Sequence, residues 1–116
     1  MSDCIFCKIV EGKIPAKKVY EDDDLLAFHD INPAAPVHIL VIPKQHIESL
    51  NSCNESHATM LGKLFSRLGQ IALEQGLNDG FRTIVNTGRV GGQEVYHLHA
   101  HILGGAQPVG PLVARH

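Results

Sequence analysis

His97-Leu98-His99-Ala100-His101-Ile102-Leu103 sets three histidines in strict alternation with apolar residues. In an extended strand, successive side chains point to opposite faces and the chain rises about 3.3 Å per residue. All three imidazoles therefore share one face. Leu98, Ala100 and Ile102 take the other, where they can enter a core. A half-buried strand with histidine outside by chance, or a fortuitous metal binder, is the plainer reading. Three imidazoles in register weigh against it, since each must find hydrogen-bond partners and none adds stability. Imidazole changes charge near neutral pH, so the row can supply nucleophile, acid and base within one strand.

Outward from this strand, 116 residues with 44% hydrophobic content suit one domain, residues 1–116, with its own core. The net charge of −2, with histidine neutral, indicates neither disorder nor a surface that coats nucleic acid, so no nucleic-acid partner is expected. Met1-Ser2-Asp3-Cys4 has no basic segment leading into an apolar run, and no stretch approaches the ~20 apolar residues of a membrane span. A cytoplasmic protein with no membrane association is the expectation. Three cysteines are an odd number and too few for a disulfide framework, which points to a reducing compartment. Cys53 has no nearby partner and reads as a passive small residue.

Cys4 to Val10 reads as a short helix or turn closed by Gly12, followed by an extended segment from Lys18 to Glu21. Asp22-Asp23-Asp24 reads as a solvated hairpin tip, Leu25 to His29 as a strand, and Asn32-Pro33-Ala34-Ala35-Pro36 as a rigid loop. His38 to Ile42 is a strand that Pro43 should end. The clearest helix is predicted from a capping box at Ser52-Cys53-Asn54-Glu55 to about Gln75, with Gly76 in the left-handed position beyond it. Leu61, Leu64, Leu68, Ile71 and Ala72 form its buried stripe, with Met60 and Phe65 flanking as core. Phe81 to Asn86 is a further strand. Mostly strands with one long helix inserted predicts an α+β domain built on an antiparallel sheet.

The loop Asn86-Thr87-Gly88-Arg89-Val90-Gly91-Gly92-Gln93-Glu94-Val95 leads into the histidines. Its glycines permit positive φ and close backbone approach, so it can be an ordinary hairpin connection or a cradle of amides turned toward an anion. Cys4-x-x-Cys7 also has more than one reading. A redox pair needs a thioredoxin-like strand and helix context, which this chain lacks. A structural zinc site takes four N or S ligands, of which the pair supplies two. The remaining reading is a pair of half-buried apolar residues.

The His-x-His-x-His pattern resembles the signature of the histidine triad superfamily. Phe28-His29-Asp30-Ile31, Ala35-Pro36-Val37-His38, Val41-Ile42-Pro43-Lys44, Gly91-Gly92-Gln93-Glu94-Val95-Tyr96-His97 and Leu103-Gly104-Gly105 look like its Hint branch of nucleoside phosphoramidate hydrolases, in order along nearly the whole chain. The resemblance implies a five-stranded antiparallel sheet with one long helix and a short N-terminal helix. Two such subunits would join into a ten-stranded sheet across a homodimer.

It further implies that His99 attacks the α-phosphorus of a nucleoside phosphoramidate and carries a nucleotidyl intermediate that water then hydrolyses. His101 would bond the phosphate or leaving group, with His38 in the proton-relay cluster and His97 completing the triad. Asp30 would hold the ribose hydroxyls while Phe28, His29 and Ile31 shape the base pocket. Asn86, Gly92, Gln93, Glu94 and Val95 would hold the phosphate side. The substrate or product would be a purine nucleotide of AMP or GMP type, adenosine preferred, and the chemistry itself would need no cofactor. In some members His46 and His97 complete a structural zinc site begun by the cysteines, here Cys4 and Cys7.

Two departures bear on substrate choice. Glu94 stands where eukaryotic relatives have serine, which looks like the bacterial subgroup, and a carboxylate beside a phosphate repels it unless turned away or protonated. The tail Gln107 to His116 lacks the tryptophan-containing ending of animal members. The competing readings are a dinucleoside polyphosphate hydrolase or nucleotidyl transferase, and a nucleotide-binding scaffold or sensor. His29, His57 and His116 read as ordinary, with only His29 near the expected pocket.

Overall fold

The computed structural model describes residues 3–112, so His116 and the Met1-Ser2 start lie outside the described residues. The elements are α1 (Ile5–Val10), β1 (Lys18–Glu21), β2 (Leu25–His29), β3 (Val37–Pro43), α2 (Ala58–Glu74), β4 (Arg82–Ile84) and β5 (Ala100–Gly104), with two single 3₁₀ turns ahead of α2. The strands form one sheet in the order β1-β2-β3-β5-β4, antiparallel at every pairing.

Apolar side chains leave both faces of the central strands, and each face has its own cover. Leu25, Ala27, Ile39, Val41, Ala100 and Ile102 pack with Leu64, Leu68, Ile71 and Ala72 of α2. Leu26, Phe28, Leu40 and Ile42 face the other way, onto Phe6 and Ile9 of α1. A six-residue helix cannot hold itself in water. Burial of Phe6 and Ile9, worth about 1.5–3 kcal/mol each, keeps α1 on the sheet. Among the described residues, no helix is long and apolar enough to cross a membrane.

Five details differ from the sequence-based expectations. The strand through the histidines spans only Ala100–Gly104, so His97 and His99 precede the ladder and His101 alone sits within it. The alternation of faces still holds, because Ala100 and Ile102 enter the α2 core while His99 lies edge-on to Phe6, ring centroids 5.2 Å apart. The capping box is displaced from Ser52–Glu55 to Asn54–His57. Asn54 accepts from the Ser56 amide, and the His57 ring accepts from the Asn54 amide. Extended backbone at Cys53 (φ −82, ψ 150) breaks the helical path there, and α2 starts at Ala58. Phe65 is 48% exposed on the outer side of α2 rather than core, and Leu61 is only half-buried. The strand expected over Phe81 to Asn86 shortens to Arg82–Ile84.

The acidic tip is also more than a solvated turn. Asp22 accepts hydrogen bonds from the Asp24 and Leu25 amides and the Tyr20 hydroxyl, and Lys63 of α2 lies 3.6 Å away. Burial works to raise its pKa, yet these donors and the Lys63 charge hold it down to about 2.

Candidate active site and metal cluster

Three imidazoles form a chain whose proton positions follow from their partners. The Ala34 amide, which can only donate, lies 3.0 Å from His38 Nδ1, so that nitrogen is an acceptor. His38 therefore carries its proton on Nε2 and donates it to His101 Nδ1 at 2.8 Å. The His101 proton is left on Nε2, the one buried side-chain polar atom among the described residues that has no partner. His99 has the complementary arrangement. Its Nδ1 lies 2.7 Å from the His97 carbonyl, which can only accept, so Nδ1 carries the proton and Nε2 keeps a lone pair.

Burial pushes the His38 pKa down, with partial opposition from Asp30, whose Oδ2 lies 3.5 Å from His38 Nε2. Burial and then the neighbouring rings of His99 and His38 lower His101 to about 4. Both rings are neutral at pH 7, as the chain of donors requires.

A cavity of about 300 Å³ opens beside this chain, at the lower end of the range for small-molecule sites. One end is apolar, walled by Ile5, Phe6 and Ile9 of α1 together with Ile14, Phe28 and Leu40. The other is polar, formed by Asn86, Gly92, Glu94, His99 and His101. His29, Asp30, Ile31 and Val95 also line it, so ten of the residues expected at the site meet in one cavity. Its outer edge continues into an open hollow beside Lys17.

Three expected residues do not line this cavity. His38 sits behind His101, and His97 points into the metal cluster described below. The Gln93 side chain braces its own loop, donating to the Glu48 and Val95 carbonyls and accepting from the Gly88 amide. The α1 wall lies outside the sequence-based expectations, although Ile5 and Ile9, four apart and interleaved with the two cysteines, carry its signal.

The glycine loop is a compact turn. Gly92 has φ +83, and a Cβ on Gly91 would collide with the Thr87 carbonyl. The amides of Gly92 and Gln93 are bonded inside the loop, to the Arg89 and Gly88 carbonyls. Among the described residues, the amides of Glu94 and Val95, beyond the turn, make no such bond and are free to be offered to an anion.

Cys4, Cys7, His46 and His97 form a second cluster, with one ligand atom from each within 4.8 Å of the others. Cys7 Sγ lies 3.3 Å from His46 Nδ1 and 3.5 Å from His97 Nδ1, Cys4 Sγ lies 3.4 Å from His97 Nδ1, and the two nitrogens are 3.3 Å apart. A tetrahedral ion with metal–sulfur bonds near 2.3 Å and metal–nitrogen bonds near 2.05 Å requires about 3.6 Å between S and N and about 3.3 Å between N and N. The cluster could hold a metal with little rearrangement. His97 Nε2 donates to the Pro43 carbonyl at 2.7 Å, which orients the ring and leaves Nδ1 free, the usual support for a metal-bound histidine. Asp30, His38 and His101 also lie within metal-ligating distance, but His38 Nε2 and His101 Nδ1 are bonded to each other and His38 Nδ1 to the Ala34 amide.

An antiparallel sheet carrying a lone-pair imidazole, a donor imidazole and an apolar cleft defines a histidine triad protein. Residues 3–111 match the family model described as scavenger mRNA decapping enzyme C-term binding. Protein HitA of Neisseria gonorrhoeae is 54% identical over 104 residues, covering 90% of this chain and 97% of that protein. The purine nucleoside phosphoramidase of Escherichia coli (strain K12) is 47% identical over 113 residues, 97% of this chain and 94% of that one. A solved HIT family hydrolase from Clostridium thermocellum superposes with a TM-score of 0.92 at 43% identity, covering 98% and 99% of the two chains. The chain belongs to the histidine triad family.

Proposed function

We propose that this protein hydrolyses the phosphorus–nitrogen bond of purine nucleoside 5′-phosphoramidates, with adenosine preferred. One observation carries the reading. The lone pair on His99 Nε2 and the partnerless proton on His101 Nε2 belong to neighbouring rings, with centroids 5.0 Å apart, on one wall of the cavity. A phosphoryl group between them receives a nucleophile on phosphorus and a donor on oxygen.

In the first displacement His99 Nε2 bonds to phosphorus, the bond to the amine nitrogen breaks, and that nitrogen takes up a proton from solvent. In the second, water attacks phosphorus, the bond to Nε2 breaks, and the water's proton returns to solvent. The two steps replace one difficult hydrolysis. The His97 carbonyl keeps the proton on Nδ1 throughout, and the His38–His101 pair holds its donor on the oxyanion as charge builds there. Asp30 lines the cavity, and in this reading it accepts from the ribose hydroxyls. The apolar end supports adenine over guanine, which brings one more exocyclic polar group that would lie unpaired there.

Zinc is the metal that best suits two thiolates and two imidazoles at these spacings, with Cys4, Cys7, His46 and His97 as ligands. Bound there, it would cross-link α1 to the segments before β5. The sheet edge at β4 and the exposed Phe65 and Phe81 support a homodimer.

A fluorogenic adenosine phosphoramidate tests the reading. Steady release of the amine together with AMP, and nucleotide trapped on His99 through a phosphorus–nitrogen link, are expected. Binding of AMP without any turnover would instead identify a nucleotide-binding scaffold.

A further inference from the structure

The electrostatics of the cavity run against a simple anion site. Among the described residues no lysine or arginine lines it, and the two formal charges in its lining are the carboxylates of Asp30 and Glu94. Asp30 is engaged, with Oδ1 accepting from the Asn32 amide and Oδ2 beside His38. Glu94 is exposed at the polar end, and among the described residues its carboxylate has neither an ion pair nor a hydrogen bond. The proposed function fixes the direction of the substrate. The base fills the apolar end, His99 meets the α-phosphorus, and in-line displacement carries the leaving nitrogen away from His99; Glu94, exposed in the same polar lining, is the carboxylate available to meet it.

We propose that Glu94 is a specificity determinant for the leaving group: its free carboxylate favours amines that bear a positive charge and disfavours leaving groups that bear negative charge, polyphosphates included. The proposal rests on the phosphoramidate reading above. A phosphoramidate brings a single negative charge on phosphorus, which the His101 donor and a main-chain amide can meet. Each further phosphate adds a charge that must sit beside Glu94, with no cation among the described residues that line the cavity to offset it. A leaving amine with an ammonium group does the reverse and supplies the partner that Glu94 lacks. The main-chain amide and the side chain of Glu94 serve different groups, the amide the phosphoryl oxygen and the carboxylate what departs. The transfer is unchanged by this choice: the bond from phosphorus to the amine breaks, the bond to His99 Nε2 forms, and the departing nitrogen gains one proton from solvent.

The test compares three adenosine 5′-phosphoramidates of equal chain length, whose amines end in an ammonium, a methyl or a carboxylate. kcat/KM is measured for the full-length protein at low and high salt. The expected order is ammonium over methyl over carboxylate, on the order of ten-fold per step at low ionic strength. Both steps should shrink toward unity in 1 M salt, where the screening length falls to about 3 Å. In Glu94→Gln the two ratios should collapse to about one, while Glu94→Asp keeps their sign. Ratios are read rather than absolute rates, so a general loss of activity in a variant does not mimic the result. Wild-type ratios that stay flat, or ratios that survive Glu94→Gln, overturn the selector and leave the hydrolase reading standing. Failure of the wild type to cleave any of the three refutes the hydrolase reading, and the selector with it.

Discussion

Replacing Cys7 with serine removes one of four ligands from the proposed zinc cluster at a buried position. Its sulfur is 3.3 Å and 3.5 Å from the two ligating nitrogens, and a serine oxygen is both a harder donor and shorter in reach. Burial also pushes the Cys7 thiol pKa upward, so without an ion that thiol stays protonated. An ion that binds only the folded chain stabilises it by about 2.7 kcal/mol at 100 times its dissociation constant and about 4.1 kcal/mol at 1,000 times. For a chain of this size each kcal/mol moves the melting temperature by about 3–5 °C, so loss of the ion should lower it by roughly 10–15 °C. Calorimetry of the wild type with and without chelator, beside Cys7→Ser, measures this, and elemental analysis of the same samples gives the metal content. Chelated wild type and Cys7→Ser should melt close together. Cys53→Ser is the control, since that thiol makes only a 3.6 Å contact to the Ser49 carbonyl. Protein purified without chelator that carries no stoichiometric metal, and whose melting temperature ignores chelator, would refute the assignment.

His99→Ala should lose at least about a thousand-fold in kcat while AMP affinity, by calorimetry, changes less than about five-fold, because the apolar end and Asp30 are untouched. Folding stability should decline as pH falls from about 6.5 toward 4. His101 ionises near 4 when folded and near 6.5 when unfolded, so the unfolded chain takes the proton first, at a cost to the fold on the order of 2–3 kcal/mol. Denaturant titrations across that window should show a flatter profile for His101→Asn. Asp22 extends the decline at still lower pH. Its stabilisation is complete above 3.8 and is lost toward 2, and Asp22→Asn should flatten that part of the curve. Leu64→Ala, at a side chain 2% exposed between α2 and the sheet, should cost about 2–5 kcal/mol in chemical denaturation with activity per folded molecule preserved.

Much of this fold is legible in the residues alone. β1, β2 and the body of β3 follow from β-rich runs punctuated by Asp22-Asp23-Asp24 and by the Asn32 to Pro36 loop, and the α2 stripe follows from its spacing. The start of α2 is not fixed by sequence, because Ser52 and Asn54 both satisfy the local capping rule and only the extended backbone at Cys53 decides between them. Phe65 reads as core because a large aromatic beside a stripe looks buried whenever the width of the covering sheet is unknown. At the site, alternation put the histidines on one face, but nothing in the sequence indicates which nitrogen carries each proton. That depends on the Ala34 amide and the His97 carbonyl, main-chain groups brought in by folding. Gln93 shows the same limit, since a polar residue in a glycine loop gives no sign whether it faces a ligand or its own backbone.

The six residues of α1 do two jobs on alternate sides of one turn. Cys7, with Cys4 as the cap before it, belongs to the cysteine–histidine cluster that could hold a metal, while Ile5, Phe6 and Ile9 form the wall against which a base would lie. Anyone redesigning base preference therefore has a narrow choice. Ile5 and Ile9 can be exchanged for other shapes, but inserting or deleting one residue would rotate the cysteines away from His46 and His97 by about 100°. Changing what the pocket accepts without losing the cluster is a matter of substitution at fixed length, and libraries that vary the length of this segment should yield mostly unanchored helices.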